Sequence, residues 1–248
     1  MHSWSIVASI AAIASLMFAW IGGKAVPQVT AEAGTEQPLT APGPALVDVG
    51  TAVELPPEPT PAVPAPTRHA RILHGACSDA AWTCEKLKGA VPDSLTLACA
   101  EGNAACEEGG VDWIGTGTEK ADHLDQFFAN TAINEPAMTD HGNMLVGFSR
   151  GAFVARDVAL ARPGRYSAIV LIGASIALDP NALKEAGIRR VVLASGDLDH
   201  AAKSMQSNHT KLVAAGLETR FVSLGRVYHT LPDDTAKRLR QAITWAAE

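Results

Sequence analysis

The chain of 248 residues carries 20 Lys and Arg against 26 Asp and Glu, a formal charge of −6. That balance, with no basic cluster beyond the Arg189–Arg190 pair in "IRRVV", argues against nucleic acid as a partner. The length accommodates one or two domains.

Residues 4–23, "WSIVASIAAIASLMFAWIGG", hold no charged side chain and are long enough to span a bilayer. The run is apolar on every face and starts near the terminus, so it reads as an uncleaved membrane anchor, with a cleaved secretory signal as the alternative. Only His2 and the terminal amine precede it and Lys24 follows, which leaves its orientation open. Segment 24–67 contains ten of the fifteen prolines. Proline lacks a backbone donor and favours an extended chain, so this stretch reads as a semi-rigid tether. The remaining residues, 68–248, suffice for one hydrophobic core.

Four cysteines, Cys77, Cys84, Cys99 and Cys106, lie within thirty residues as two pairs of equal spacing. Behind an export segment an even count points to two disulfides. The spacing is not CxxC, and no nearby His completes a finger pattern, so zinc is the weaker reading. Of the three pairings, Cys77–Cys84 with Cys99–Cys106 is the expectation. These cysteines and the tether place the domain outside the cytosol.

Apolar strand-like runs recur at 71–73, 95–99, 144–147, 168–172, 190–194 and 220–224. Helical patterns fall between them at 79–89, 119–132, 150–161, 181–186, 200–215 and 233–247. Runs that are apolar on both faces suit a parallel sheet covered by helices. The alternation predicts a three-layer α/β/α sandwich on a mostly parallel sheet of about six strands. In such sheets the chemistry sits at the carboxyl ends of the strands.

The first strand is followed by "HGACSD", residues 74–79. Gly75 lets the backbone turn so that the N–H of Ala76 points into a site, while Ser78 or Asp79 caps the next helix. His74 reads as structural. "CEEGGVDWIGTG", residues 106–117, is a long Gly-rich loop. Its Trp113 is assigned to substrate binding, packing on the sheet being the equal alternative.

"LVGFSRGAF", residues 145–153, contains Gly147-Phe148-Ser149-Arg150-Gly151. The five-residue pattern alone is weak, but a strand precedes it and a helix follows, ended by Pro163 and Gly164. This is the context of a nucleophile elbow, with Ser149 as the nucleophile. The Ala76 and Arg150 amides would then form an oxyanion hole, two donors for charge developing on a carbonyl oxygen.

"SGDLDH", residues 195–200, offers Asp199 and Asp197 as an orienting acid, and Asp199 is preferred. "GRVYHTLPDD", residues 225–234, places His229 in a loop before the last helix. The order Ser149, Asp199, His229 is the one an elbow of this kind requires, and His229 has the chemistry of a general base. His141, His200 and His209 fit no strand end in that order.

Taken together, "HGAC", "GFSRGA", "SGDLD" and "GRVYH" resemble the α/β-hydrolase superfamily over roughly residues 70–248. The resemblance is nearest to compact, lidless serine esterases of the carboxylesterase and dienelactone-hydrolase-like kind. It implies cleavage of carboxylic esters or thioesters by Ser149, His229 and Asp199, with a small-molecule ester as partner and no metal or organic cofactor. It also implies a sheet starting at the third of the usual eight strands, with no room for a lid between residues 161 and 168. Departures are Tyr228, where many relatives place Gly, and the cysteine cluster beside the oxyanion turn. Dienelactone hydrolases proper use a Cys nucleophile, which this chain lacks at Ser149. A silent binding module tethered in the envelope, a peptidase and an acyltransferase are the competing functions on this fold.

Overall fold

Six strands of this computed structural model run parallel in one sheet, in the order β2-β1-β5-β6-β7-β8. They are β1 (His69–Leu73), β2 (Thr96–Ala100), β5 (Asn143–Phe148), β6 (Tyr166–Ile172), β7 (Arg190–Ser195) and β8 (Glu218–Ser223). Two further strands of two residues each, β3 (Ala104–Ala105) and β4 (Val111–Asp112), form an antiparallel hairpin beside it. The helices are α1 (Ala80–Leu87), α2 (Gly117–Thr131), α3 (Arg150–Ala161), α4 (Pro180–Glu185), α5 (Ala202–Ala214) and α6 (Thr235–Ala247).

The structure describes residues 67–131 and 138–248. The apolar segment 4–23 and nearly all of the proline-rich tether lie outside the described residues. No helix among the described residues is long and apolar enough to cross a membrane.

Each central strand is buried on both faces, and its residues alternate between two cores. Leu145, Ile169, Leu171, Val191 and Leu193 pack under α2, α3 and α5. Val146, Val170, Ile172, Val192 and Ala194 pack under α6 and the end of α1. This is the three-layer arrangement expected, with all six strands found within two residues of their expected limits. Burial on both faces explains why β5 and β6 read as unbroken apolar runs.

Local chemistry sets the helix ends. Asp79, not Ser78, caps α1, its carboxylate accepting the Ala81 N–H at 2.7 Å. Pro180 opens α4 at a position that needs no N–H donor, and Asp179 caps it.

The cysteine pairing differs from the local one expected. Cys77 bonds Cys106, and Cys84 bonds Cys99. Cys84 lies on α1 and Cys99 on β2, so that disulfide joins a helix to the sheet. Cys77 leaves β1, and Cys106 lies in the turn of the β3–β4 hairpin, so the other disulfide closes hairpin onto strand exit. Two disulfides suit an oxidising compartment.

Candidate active site

Ser149 follows the last residue of β5 and precedes the first of α3, with φ 53° and ψ −117°. This left-handed backbone is one that a residue with a Cβ rarely adopts. Two glycines make it sterically feasible. A Cβ on Gly147 would lie 2.2 Å from the Gly151 carbonyl oxygen, and a Cβ on Gly151 would lie 2.1 Å from that of Leu73. The pattern of small residues is therefore required by backbone approach on both sides of the turn.

Serine at a helix start normally caps it, but the Ser149 side chain makes no capping hydrogen bond. Its Oγ lies 2.8 Å from His229 Nε2 instead. His229 Nδ1 lies 2.9 Å from Asp199 Oδ2. An ionised carboxylate only accepts, so Nδ1 carries the proton and donates to it. Nε2 is then the bare nitrogen that accepts from the Ser149 hydroxyl. Asp199 is almost fully enclosed, its side chain 2% exposed, while that of His229 is 33% exposed. The carboxylate is fixed further by the Ala201 N–H, which donates to its Oδ1 at 2.8 Å.

The alternative acid points elsewhere. Asp197 Oδ1 accepts from the Ser223 hydroxyl at 2.5 Å, at the end of β8. The backbone around it sews two loops together. The Asp197 N–H donates to the Gly225 carbonyl, and the Leu198 N–H to that of Val227. A Cβ on Gly196 would meet the Val227 oxygen at 2.2 Å, so only Gly lets the 196–199 loop approach the 225–229 loop this closely.

Gly75 brings the exit of β1 against Ser149, its own Cβ position being 3.5 Å from Ser149 Cβ. Among the described residues, no backbone hydrogen bond uses the N–H of Ala76 or of Arg150. Arg150 is the first residue of α3, so its amide is one of the unsatisfied donors at the positive end of a helix. The Arg150 side chain turns to Asp112, Nε to Oδ1 at 3.4 Å.

His74 is fully buried. Its Nδ1 lies 2.7 Å from the Gly75 carbonyl oxygen, and its Nε2 accepts the Gly102 N–H at 2.9 Å. One ring nitrogen donates and the other accepts, so the ring is neutral, and burial lowers its pKa from the ordinary 6.5. It holds the turn together, as its structural reading expects.

Trp113 does not line an open surface. It is 1% exposed, and its indole N–H donates to the His74 carbonyl at 3.1 Å. The ring packs into the core with Leu73 and Leu124, which corrects its assignment to substrate binding.

Three further residues lie against the cluster, of which Gly173 is the one the sequence did not single out. The Phe148 ring stacks on His229, centroids 5.2 Å apart. Gly173, at φ 61°, leaves room at the end of β6: a Cβ there would sit 3.1 Å from Asp199 Oδ2 and 3.3 Å from His229 Cε1. The signal for it was a glycine directly after an apolar strand. His200 Nδ1 lies 3.2 Å from Asp199 Oδ1. Asp199, His200 and His229 offer ligand atoms within 4.8 Å of one another, the one group of metal-ligand type among the described residues. Asp199 and His229 already spend theirs on each other.

No protein-family model matches the chain, and no curated protein sequence matches it. Solved structures do. Esterase PE8 superposes with a TM-score of 0.57 at 22% identity, over 75% of this chain and 96% of that one. FphF, a fluorophosphonate-binding serine hydrolase of Staphylococcus aureus, gives 0.55 at 14% identity, over 77% and 88%. A Bacillus cereus carboxylesterase gives 0.53 at 15% identity, over 73% and 87%. The chain has the α/β-hydrolase fold.

Proposed function

We propose that this chain is a serine hydrolase that cleaves carboxylic esters or thioesters through an acyl-enzyme. The observation that carries the reading is the continuous relay from Ser149 Oγ to His229 Nε2 and from His229 Nδ1 to Asp199 Oδ2. A binding module needs neither of these two contacts, nor the left-handed backbone at Ser149.

In this reading His229 takes the Ser149 proton as Oγ attacks the substrate carbonyl carbon. The carbonyl oxygen becomes an oxyanion facing the Ala76 and Arg150 amides, with the N-terminus of α3 adding its partial positive charge. The imidazolium is stabilised by Asp199 and returns its proton to the leaving alcohol or thiol. Water, deprotonated by His229, then attacks the acyl-enzyme, and the acid leaves as the Ser149 hydroxyl is restored. No step calls for a metal or an organic cofactor. Residues 1–23 would hold the domain to a membrane, or direct its export, with the proline-rich segment as tether. The two disulfides support a site of action outside the cytosol.

A panel of p-nitrophenyl esters, thioesters, peptides and alcohol acceptors, run with the wild type and Ser149→Ala, tests the assignment. Hydrolysis of the esters or thioesters that disappears in the variant is the expected result. Turnover confined to peptides, or transfer confined to alcohols, would replace it with a peptidase or an acyltransferase.

A further inference from the structure

The turn that carries the Ala76 amide is fastened by a structure outside the main sheet. Residues 102–113, which include the β3–β4 hairpin, hold residues 74–78 at four points. Gly102 donates to the His74 ring, and the Trp113 indole donates to the His74 carbonyl. Ser78 and Val111 exchange backbone hydrogen bonds at 3.2 and 3.3 Å. The fourth tie is covalent, the Cys77–Cys106 disulfide.

Cys77 directly follows Ala76. Its φ of 46° makes it the one other non-glycine residue besides Ser149 with positive φ among the described residues. A Cβ on Gly110 would lie 2.6 Å from the Cys77 carbonyl oxygen, so the hairpin backbone presses against the peptide that follows Cys77. Residues of this kind keep a sparsely populated backbone only where their surroundings enforce it. Here the enforcement comes from the hairpin, and it acts on the residue directly after Ala76.

Resting on the acyl-transfer reading above, we propose that the Cys77–Cys106 disulfide and its hairpin are the positioning device of the oxyanion hole. Cys77 and Gly110 act through Ala76 and touch no reacting atom. Cys84–Cys99 joins α1 to β2 and provides the internal comparison.

The test uses the full-length protein with p-nitrophenyl acetate as substrate and a trifluoromethyl ketone as tetrahedral mimic. In Cys77→Ser/Cys106→Ser, kcat falls about 10- to 100-fold, in the range of a weakened oxyanion donor. KM changes less than about twofold, and affinity for the ketone falls in parallel with kcat. Cys84→Ser/Cys99→Ser keeps kcat and ketone affinity within about twofold of wild type, whatever it loses in thermal stability. Gly110→Ala, with both disulfides intact, lowers kcat in the same way and decides the matter if the double serine variant does not fold. Wild-type kcat and ketone affinity in a folded Cys77→Ser/Cys106→Ser protein, or in Gly110→Ala, would overturn the proposal. Wild-type protein inert to both ester and fluorophosphonate would sink the acyl-transfer reading instead. Hydrogen exchange at residues 76–78 then still reports whether cutting the disulfide loosens the turn, and unchanged exchange would count against the device itself.

Discussion

Gly151 sits so close to Leu73 that a Cβ on it would stand 2.1 Å from the Leu73 carbonyl oxygen. The contact joins the first turn of α3, which starts at Arg150, to the end of β1, whose following turn carries Ala76. Gly151→Ala must therefore push α3 away from the sheet. It is expected to cost roughly 3 kcal/mol, the scale of a forced overpacking in a buried site. A urea titration with unchanged slope and lowered midpoint checks it, and a midpoint equal to wild type would mean the helix yields at no cost.

Asp199 and Asp197 are two residues apart and reach different partners, His229 and Ser223. Asp199→Asn keeps the shape and gives the His229 ring the wrong tautomer. Its kcat on an ester substrate should fall on the order of 10³- to 10⁴-fold. Asp197→Asn should stay within about tenfold, since it perturbs only a loop tie. Comparable losses in both would contradict the assignment of the acid.

His74 is buried and neutral, and burial sets its folded pKa below the 6.5 of the exposed ring. The unfolded chain therefore takes up the proton more readily. The contribution to stability is complete above the unfolded value and is lost as pH falls through the folded one. Denaturant midpoints should decline as pH drops below 6.5. In His74→Gln the decline should be shallower over that window. Equal slopes for the two proteins would show that other groups carry the acid sensitivity.

Asp125 on α2 draws three guanidiniums together. Arg71 lies at 3.1 Å, Arg165 at 3.2 Å and Arg162 at 3.4 Å, and Arg71 is almost completely buried on β1. The Arg71 side chain also donates to the Tyr166 hydroxyl, whose pKa burial raises. Asp125→Ala leaves the Arg71 charge enclosed without its carboxylate and should cost about 3 kcal/mol. Thermal and urea unfolding read the loss directly.

Much of the fold was legible because both sheet faces are covered. That makes β5, β6 and β7 near-continuous apolar runs, and Gly173 and Gly196 mark the ends of β6 and β7. The convergence of Ser149, Asp199 and His229 was legible because each follows a strand, and parallel strands deliver their carboxyl ends to one edge. The cysteine pairing was not. Four cysteines permit three connectivities, and the choice rests on α1 lying over β2 and on a hairpin whose two-residue strands leave no periodic trace. Trp113 was not legible either. An aromatic in a Gly-rich loop looks the same whether its ring faces a cleft or fills a core, and only the His74 carbonyl, 39 residues away, decides between them. Gly173 and Gly196 showed in the sequence only as glycines directly after apolar strands, and that each allows a close approach to the 199 and 225–229 loops rests on the neighbours a Cβ would strike.

In the proposed hydrolase Ser149 is an activated nucleophile with His229 as its base. The most direct measurement is labelling of the full-length protein by a fluorophosphonate, beside Ser149→Ala and His229→Ala, with the modified peptide identified by mass spectrometry. The reagent needs an activated serine and no knowledge of the substrate. Labelling on Ser149 in the wild type, and none at that position in either variant, is the expected result. A folded wild-type protein that takes no label, or takes it at another serine, would contradict it.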